Sequence, residues 1–115
     1  MTVLFMDDDL ATRMWGAKLL RKRGHRVVEA ADQREAEIAA RNGDVDAAVL
    51  DVRGAHADTG LRTARVLNRL NPLIRILLVS GGPRPSEKFH FMSKPYEIDD
   101  VLRLLSAIDG SDQRP

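Results

Sequence analysis

The chain alternates short apolar runs with longer stretches of helical periodicity. Val3 to Met6 is a continuous apolar run, too short for a helix, and reads as a strand that stops at Asp7-Asp8-Asp9. A helical pattern follows from about Leu10 to Arg23, with Trp15, Leu19 and Leu20 as its expected apolar face and Gly24 as its stop. Val27-Val28 forms a brief second strand, and Asp32 is placed to cap a helix that runs to about Arg41 and ends at Asn42-Gly43. Ala47 to Asp51 is a third strand, with an irregular stretch from Val52 to Thr59 behind it. A helix from about Gly60 to Leu70 closes at Asn71-Pro72. Ile74 to Val79 is the most apolar strand, and it ends at Ser80-Gly81-Gly82. Pro83 to Lys88 holds two prolines and reads as loop or at most one helical turn; Phe89 to Met92 is a fifth strand, ending at Ser93-Lys94-Pro95. From about Glu97 to Ile108, the residues Ile98, Val101, Leu102, Leu105 and Ile108 recur at helical spacing. Asp109 to Pro115 reads as a polar tail to a domain spanning residues 1–108.

Strands that are apolar throughout, rather than on alternate positions, are buried on both faces. Alternated with helices, they predict a doubly wound parallel sheet with helices on both sides. At 115 residues the chain holds one such domain.

Composition narrows the function classes. A formal net charge of +1 gives no field that would draw the chain to nucleic acid or to an anionic membrane. The run Arg21-Lys22-Arg23 falls late in a helix, where the helix dipole favours cations. Cysteine is absent, which excludes disulfides, thiolate chemistry and cysteine-based zinc sites. No basic and apolar leader and no run of about 20 apolar residues stands out, so the expected location is the cytoplasm.

Ligand sites in parallel α/β sheets lie beyond the carboxyl ends of the strands. There the first strand delivers Asp7 and Asp8, the third Asp51, the fourth Ser80 and the fifth Lys94. Each alone has an ordinary explanation as a cap, turn or surface charge. Together they would be coincidences at the ends of four strands. Clustered carboxylates invite a hard divalent cation such as Mg²⁺, a lysine supplies fixed positive charge, and an aspartate can act as a covalent acceptor. The chemistry these groups suit is phosphoryl transfer, which needs alignment and charge stabilisation above all.

Asp7-Asp8, Asp51, Ser80 and Lys94-Pro95, in that order within a βα chain, resemble the receiver domain of two-component response regulators, over about Thr2 to Ile108. The resemblance implies a flavodoxin-like sheet of strand order 2-1-3-4-5. It makes Asp51 the phosphorylated residue, Asp8 a direct ligand of Mg²⁺ (or Mn²⁺), Asp7 a metal-site carboxylate acting largely through water, and the Arg53 backbone carbonyl a further ligand. Ser80 would be the switch hydroxyl and Lys94 the phosphate-binding cation, with a cis bond to Pro95. Phe91 falls where the family keeps a rotating aromatic, and an apolar role in its strand accounts for it equally well. The implied partner is a histidine kinase or histidine phosphotransfer protein, with small phosphodonors and slow self-dephosphorylation as side activities; a homodimer is compatible.

Two departures stand against that pattern. The family's Met-Pro pair after the acceptor is missing, and the loop to Gly60 is slightly longer and contains His56, to which no role is given. Between Ser80 and Lys94 only residues 81 to 93 are available, including Pro83 and Pro85, so the family's fourth helix is expected to be short or absent. Signalling is then expected to use the Gly81–Lys88 loop with the fifth strand and last helix, or the first and last helices. The alternatives are a receiver-like module that binds without phosphorylation, and a receiver cut from a hybrid kinase or larger regulator. An aspartyl-phosphate hydrolase is disfavoured, because the second carboxylate it needs would stand where Arg53 is.

Overall fold

The computed structural model describes residues 1–54 and 56–108; the expected tail from Asp109 lies outside them. Nine elements follow in order: β1 (Thr2–Met6), α1 (Leu10–Lys22), β2 (Arg26–Ala30), α2 (Gln33–Asn42), β3 (Ala47–Asp51), α3 (Thr59–Leu70), β4 (Arg75–Ser80), β5 (His90–Ser93) and α4 (Ile98–Ala107). The strands form one parallel sheet of order β2-β1-β3-β4-β5, as expected.

The apolar runs divide by strand pleat. Leu4, Met6, Ala48, Leu50, Ile76 and Leu78 face a core shared with Ala36 of α2 and with Ala64 and Leu67 of α3. Val3, Phe5, Ala47, Val49, Leu77 and Val79 face a second core with Leu20 of α1 and Ile98, Val101 and Leu105 of α4. Neither side of a central strand meets water, which is why these strands lack the polar alternation of half-exposed ones. The edge strand β2 is longer than its two valines suggested: Arg26 and Val28 are exposed on one face of this edge strand, and Glu29, on the other face, pairs with Arg13 and Arg21 of α1.

Caps behave largely as expected. Asp32 accepts a hydrogen bond from the Glu35 amide at 2.9 Å, opening α2, and Asp9 accepts one from the Thr12 amide at 2.9 Å, opening α1. Of the expected face of α1, Leu20 is buried and Leu19 packs on the same core, but Trp15 needs correction. The buried residues of α1 are Gly16, Ala17 and Leu20, while Trp15 is 40% exposed. The cause is Gly16: a Cβ there would run into the Phe5 ring at Cζ, so α1 seats a bare backbone stripe on that ring. This close line of approach turns Trp15 to the rim, where its ring centroid lies 5.7 Å from that of Tyr96.

The short or missing fourth helix of the family pattern is borne out. Residues 81–89 contain bends and no helix. Phe89, 5% exposed, joins the core on the α2/α3 side and covers sheet next to β4. Arg65 of α3 forms a two-pronged pair with Glu87 that ties the segment to α3. β5 itself is only half-buried.

Candidate functional site

The ladder hydrogen bonds continue one residue past several strand ends, and this fixes the site. The Asp7 amide donates to the Ala30 carbonyl (3.1 Å), the Val52 amide to the Val79 carbonyl (2.9 Å) and the Lys94 amide to the Ser80 carbonyl (2.9 Å). Asp7, Asp51, Ser80 and Lys94 thereby leave one edge of the sheet from rigid backbone.

The predicted residues converge. Lys94 Nζ donates to Asp51 Oδ1 at 3.2 Å and to Asp7 Oδ2 at 3.3 Å. One carboxylate oxygen from each of Asp7, Asp8 and Asp51 lies within 4.8 Å of the others. Asp7 and Asp51 are buried, Asp8 is exposed, and Ser80 is buried. The Lys94–Pro95 bond is cis. Ser80 Oγ accepts a hydrogen bond from the Gly82 amide at 3.0 Å, which leaves its own proton free to be donated elsewhere.

The electrostatics follow from this packing. Burial pushes the Asp51 carboxyl above its ordinary value; Lys94 opposes the shift and the nearby charges of Asp7 and Asp8 add to it. Burial alone would lower Lys94, but Asp51 and Asp7 outweigh it and hold the ammonium above its ordinary value. Three carboxylates thus share one ammonium. This deficit of positive charge suits a hard divalent cation at the mouth of the cluster, with exposed Asp8 offering the open side.

Several contributors were not singled out from sequence. Arg13 Nη1 donates to the Asp7 carbonyl at 2.8 Å and pins the first acidic turn from α1. Gly60 lets α3 begin against the acceptor: a Cβ there would collide with the Asp51 carbonyl oxygen, and its amide donates to the Val52 carbonyl. Thr59 Oγ1 accepts from the His56 amide at 3.0 Å and donates to the His56 carbonyl at 3.1 Å, closing the loop after Asp51. The side chain of His56 is exposed, and these bonds use its backbone. Tyr96 is a further one. Its hydroxyl is buried without a hydrogen-bond partner among the described residues, and its pKa is pushed up by burial first and then by Asp7 and Asp51. Position alone gave no signal for these residues except at Gly60, where a glycine opens a helix.

Phe91 is half-buried and packs on the core beside its register partner Leu78, which accords with the apolar role. Arg53 is exposed, with its side chain laid against Gly82. Beside Lys94, a cleft of about 590 Å³ is lined by Ala11, Thr12, Trp15, Lys94, Pro95 and Tyr96. Among the described residues, no helix is long and apolar enough to cross a membrane.

Comparison with known proteins gives a consistent picture. No protein-family profile matches the chain. The sensor kinase CckA of Brucella abortus (strain 2308) is 37% identical over 110 residues; the match takes in 87% of this chain and 12% of that kinase. The chain therefore spans about an eighth of the curated relative it matches. The crystal structure of the receiver domain from the hybrid histidine kinase CckA superposes with a TM-score of 0.77 at 28% identity, covering 93% of this chain and 97% of that one. A response regulator protein from Burkholderia pseudomallei, solved with a phosphorylated aspartic acid, a calcium ion and citrate, gives a TM-score of 0.80 at 24% identity, over 90% of this chain and 65% of the other.

Proposed function

We infer that this chain, a member of the receiver-domain family of two-component response regulators, takes a phosphoryl group onto Asp51 from a phosphohistidine on a histidine kinase or phosphotransfer protein. The observation that carries the reading is the buried Asp51 carboxylate, held at a strand end in contact with Lys94 and grouped with Asp7 and Asp8.

In the transfer, an Asp51 carboxylate oxygen attacks phosphorus in line with the departing imidazole nitrogen. The new P–O bond forms as the P–N bond breaks, and the bonding pair returns to the imidazole. Lys94, already bridging Asp51 and Asp7, swings its ammonium onto a phosphoryl oxygen. The Ser80 hydroxyl, held by the Gly82 amide, turns its proton to another. The carboxylates of Asp8, Asp7 and Asp51 and the Arg53 carbonyl would hold a divalent ion, Mg²⁺ or Mn²⁺, which would neutralise the remaining phosphoryl charge.

The donor protein has a surface to meet. Leu10 (58% exposed), Met14 (57%) and Trp15 (40%) stand out from α1 beside the cleft that holds Lys94. Leu10 and Met14 are one helical turn apart, the spacing that receives a partner helix. We place the encounter there, in the cytoplasm, where ATP supplies the kinase.

The test is incubation with Mg²⁺ and acetyl phosphate, followed by intact mass. A gain of one phosphoryl group in wild type, absent without Mg²⁺ and absent in Asp51→Asn, is expected. No modification of the wild type would leave a binding module that works without phosphorylation. Rapid catalytic turnover of the donor would mark a hydrolase instead.

A further inference from the structure

Trp15 is the only tryptophan in the chain, and it is 40% exposed. Its ring meets that of Tyr96 at 5.7 Å between centroids and 58° between planes, so the two form an angled cradle rather than a parallel stack. The cradle lines the cleft of about 590 Å³ together with Ala11, Thr12, Lys94 and Pro95. Thr12 Oγ1 is committed to Asp9. The indole N–H of Trp15 makes no hydrogen bond among the described residues. An aromatic, apolar cleft with an uncommitted indole donor has the chemistry that recognises proline in an extended segment. The rings pack on the pyrrolidine, and the N–H donates to a backbone carbonyl.

The chain itself carries such a segment. Gly82 and Arg84 each precede a proline, which disfavours helical backbone at both. Residues 83–85 accordingly carry neither bend nor turn, and Pro83 and Arg84 are exposed. A segment already held extended loses little freedom when it docks. It cannot reach the cleft of its own molecule. Phe89 in the α2/α3 core and the pair of Glu87 with Arg65 of α3 hold it to the face of the sheet opposite α1 and α4. Charge adds a second match. Arg84 makes no hydrogen bond or ion pair among the described residues. Glu97, which follows Tyr96, is exposed with no ion pair among them, and the Arg23 on which its charge acts is already paired with Asp99. An uncommitted cation thus lies between the two prolines, and an uncommitted anion follows the cradle in the chain.

We propose that the Trp15–Tyr96 cleft takes the Pro83-Arg84-Pro85 segment of a second copy of this chain, with the second copy's Arg84 pairing with Glu97. The segment leaves the end of β4 and the cradle follows the end of β5, so two copies meet with the carboxyl edges of their sheets facing. A two-fold axis lets each copy give one segment and receive one, which closes the assembly at a dimer.

Trp15 reports the contact directly. Titration of the full chain with a capped synthetic peptide of residues 81–88 should change its emission saturably. The same peptide carrying Pro83→Ala and Pro85→Ala should leave the emission unmoved. Sedimentation equilibrium of the full chain, at concentrations above the peptide's Kd, should show monomer and dimer in equilibrium. Trp15→Ala, and Pro83→Ala combined with Pro85→Ala, should each weaken dimerisation by about 10-fold or more, the loss of an anchor from a small interface. Arg84→Glu and Glu97→Arg should each weaken it by about 2- to 5-fold, and the two combined in one chain should restore it. Circular dichroism melts of each variant check that it is folded. A wild type that stays monomeric although the peptide binds would give the cleft to a proline-containing segment of another protein and overturn the proposal. Dimerisation that Trp15→Ala and the proline variants leave unchanged would place the interface elsewhere and overturn it equally, as would a peptide that does not bind.

Discussion

At the scale of single residues, the acceptor carboxylate is a cost to the fold. Burial and the charges of Asp7 and Asp8 raise Asp51, against the pull of Lys94, so the folded carboxyl binds its proton more tightly than the unfolded one. Between the ordinary value of 3.8 and the raised folded value, the native state therefore holds more protons than the unfolded chain. Stability must fall as pH rises through that window, and the full penalty stands at neutral pH. Asp51→Asn removes the charge while keeping an acceptor for Lys94, which still holds Asp7 at 3.3 Å. Its Tm at pH 7 without metal should exceed that of wild type by several degrees. Thermal melts taken in steps toward about pH 3 should show the gap closing. Millimolar Mg²⁺ should raise wild type more than the variant, because the ion binds the folded cluster that includes Asp51. An Asp51→Asn protein no more stable than wild type at pH 7 would mean that the attraction to Lys94 outweighs burial and repulsion.

Among the elements, the seat of α1 shows what pattern reading reaches and where it stops. The existence and order of nearly all elements followed from runs and periods, because two-sided burial writes apolar strands and one-sided burial writes helical stripes. On α1, Leu20 and Leu19 face the core as read, but the place of Trp15 did not follow. A stripe of Trp15, Leu19 and Leu20 scores well on hydrophobicity, yet the helix approaches the sheet along Gly16, where close contact requires the smallest residue. Size complementarity between Phe5 and Gly16 is a tertiary fact and leaves no periodic trace. Gly16→Ala should lower stability by about 1–3 kcal/mol, as overpacking of a filled core does. Phe5→Leu in the same chain should recover part of that loss, measured by urea unfolding at constant m. A Gly16→Ala variant as stable as wild type would mean that the Phe5 ring has room to yield.

At the scale of the whole molecule, the acceptor site and the missing helix were legible for different reasons. The site was legible because a parallel sheet sends its strand ends to one edge, so four separated motifs had one place to meet. The missing helix was legible because residues 81 to 93 have to hold two prolines, a pair of glycines and a strand. Illegible were Arg13 and the Arg65–Glu87 pair, which depend on side chains crossing between elements. Together these features locate the route of a signal. A phosphoryl group that draws in the Ser80 hydroxyl also draws on the Gly82 amide bonded to it, and Gly82 opens the segment that stands where the family carries its fourth helix. That segment is held by Phe89 in the core and by an ion pair whose side chains are 47% and 34% exposed, a contact that water and salt screen. The change should therefore be read in residues 81–88 more than in α2 or β2, which touch neither Ser80 nor Gly82. Amide hydrogen exchange with and without beryllofluoride and Mg²⁺ should differ most in that segment. Arg65→Ala should speed exchange there in the free protein while changing global stability little. Exchange in 81–88 that is unmoved by beryllofluoride would rule this route out and direct attention to the α1 and α4 surface, where Arg23 and Asp99 already join the two helices.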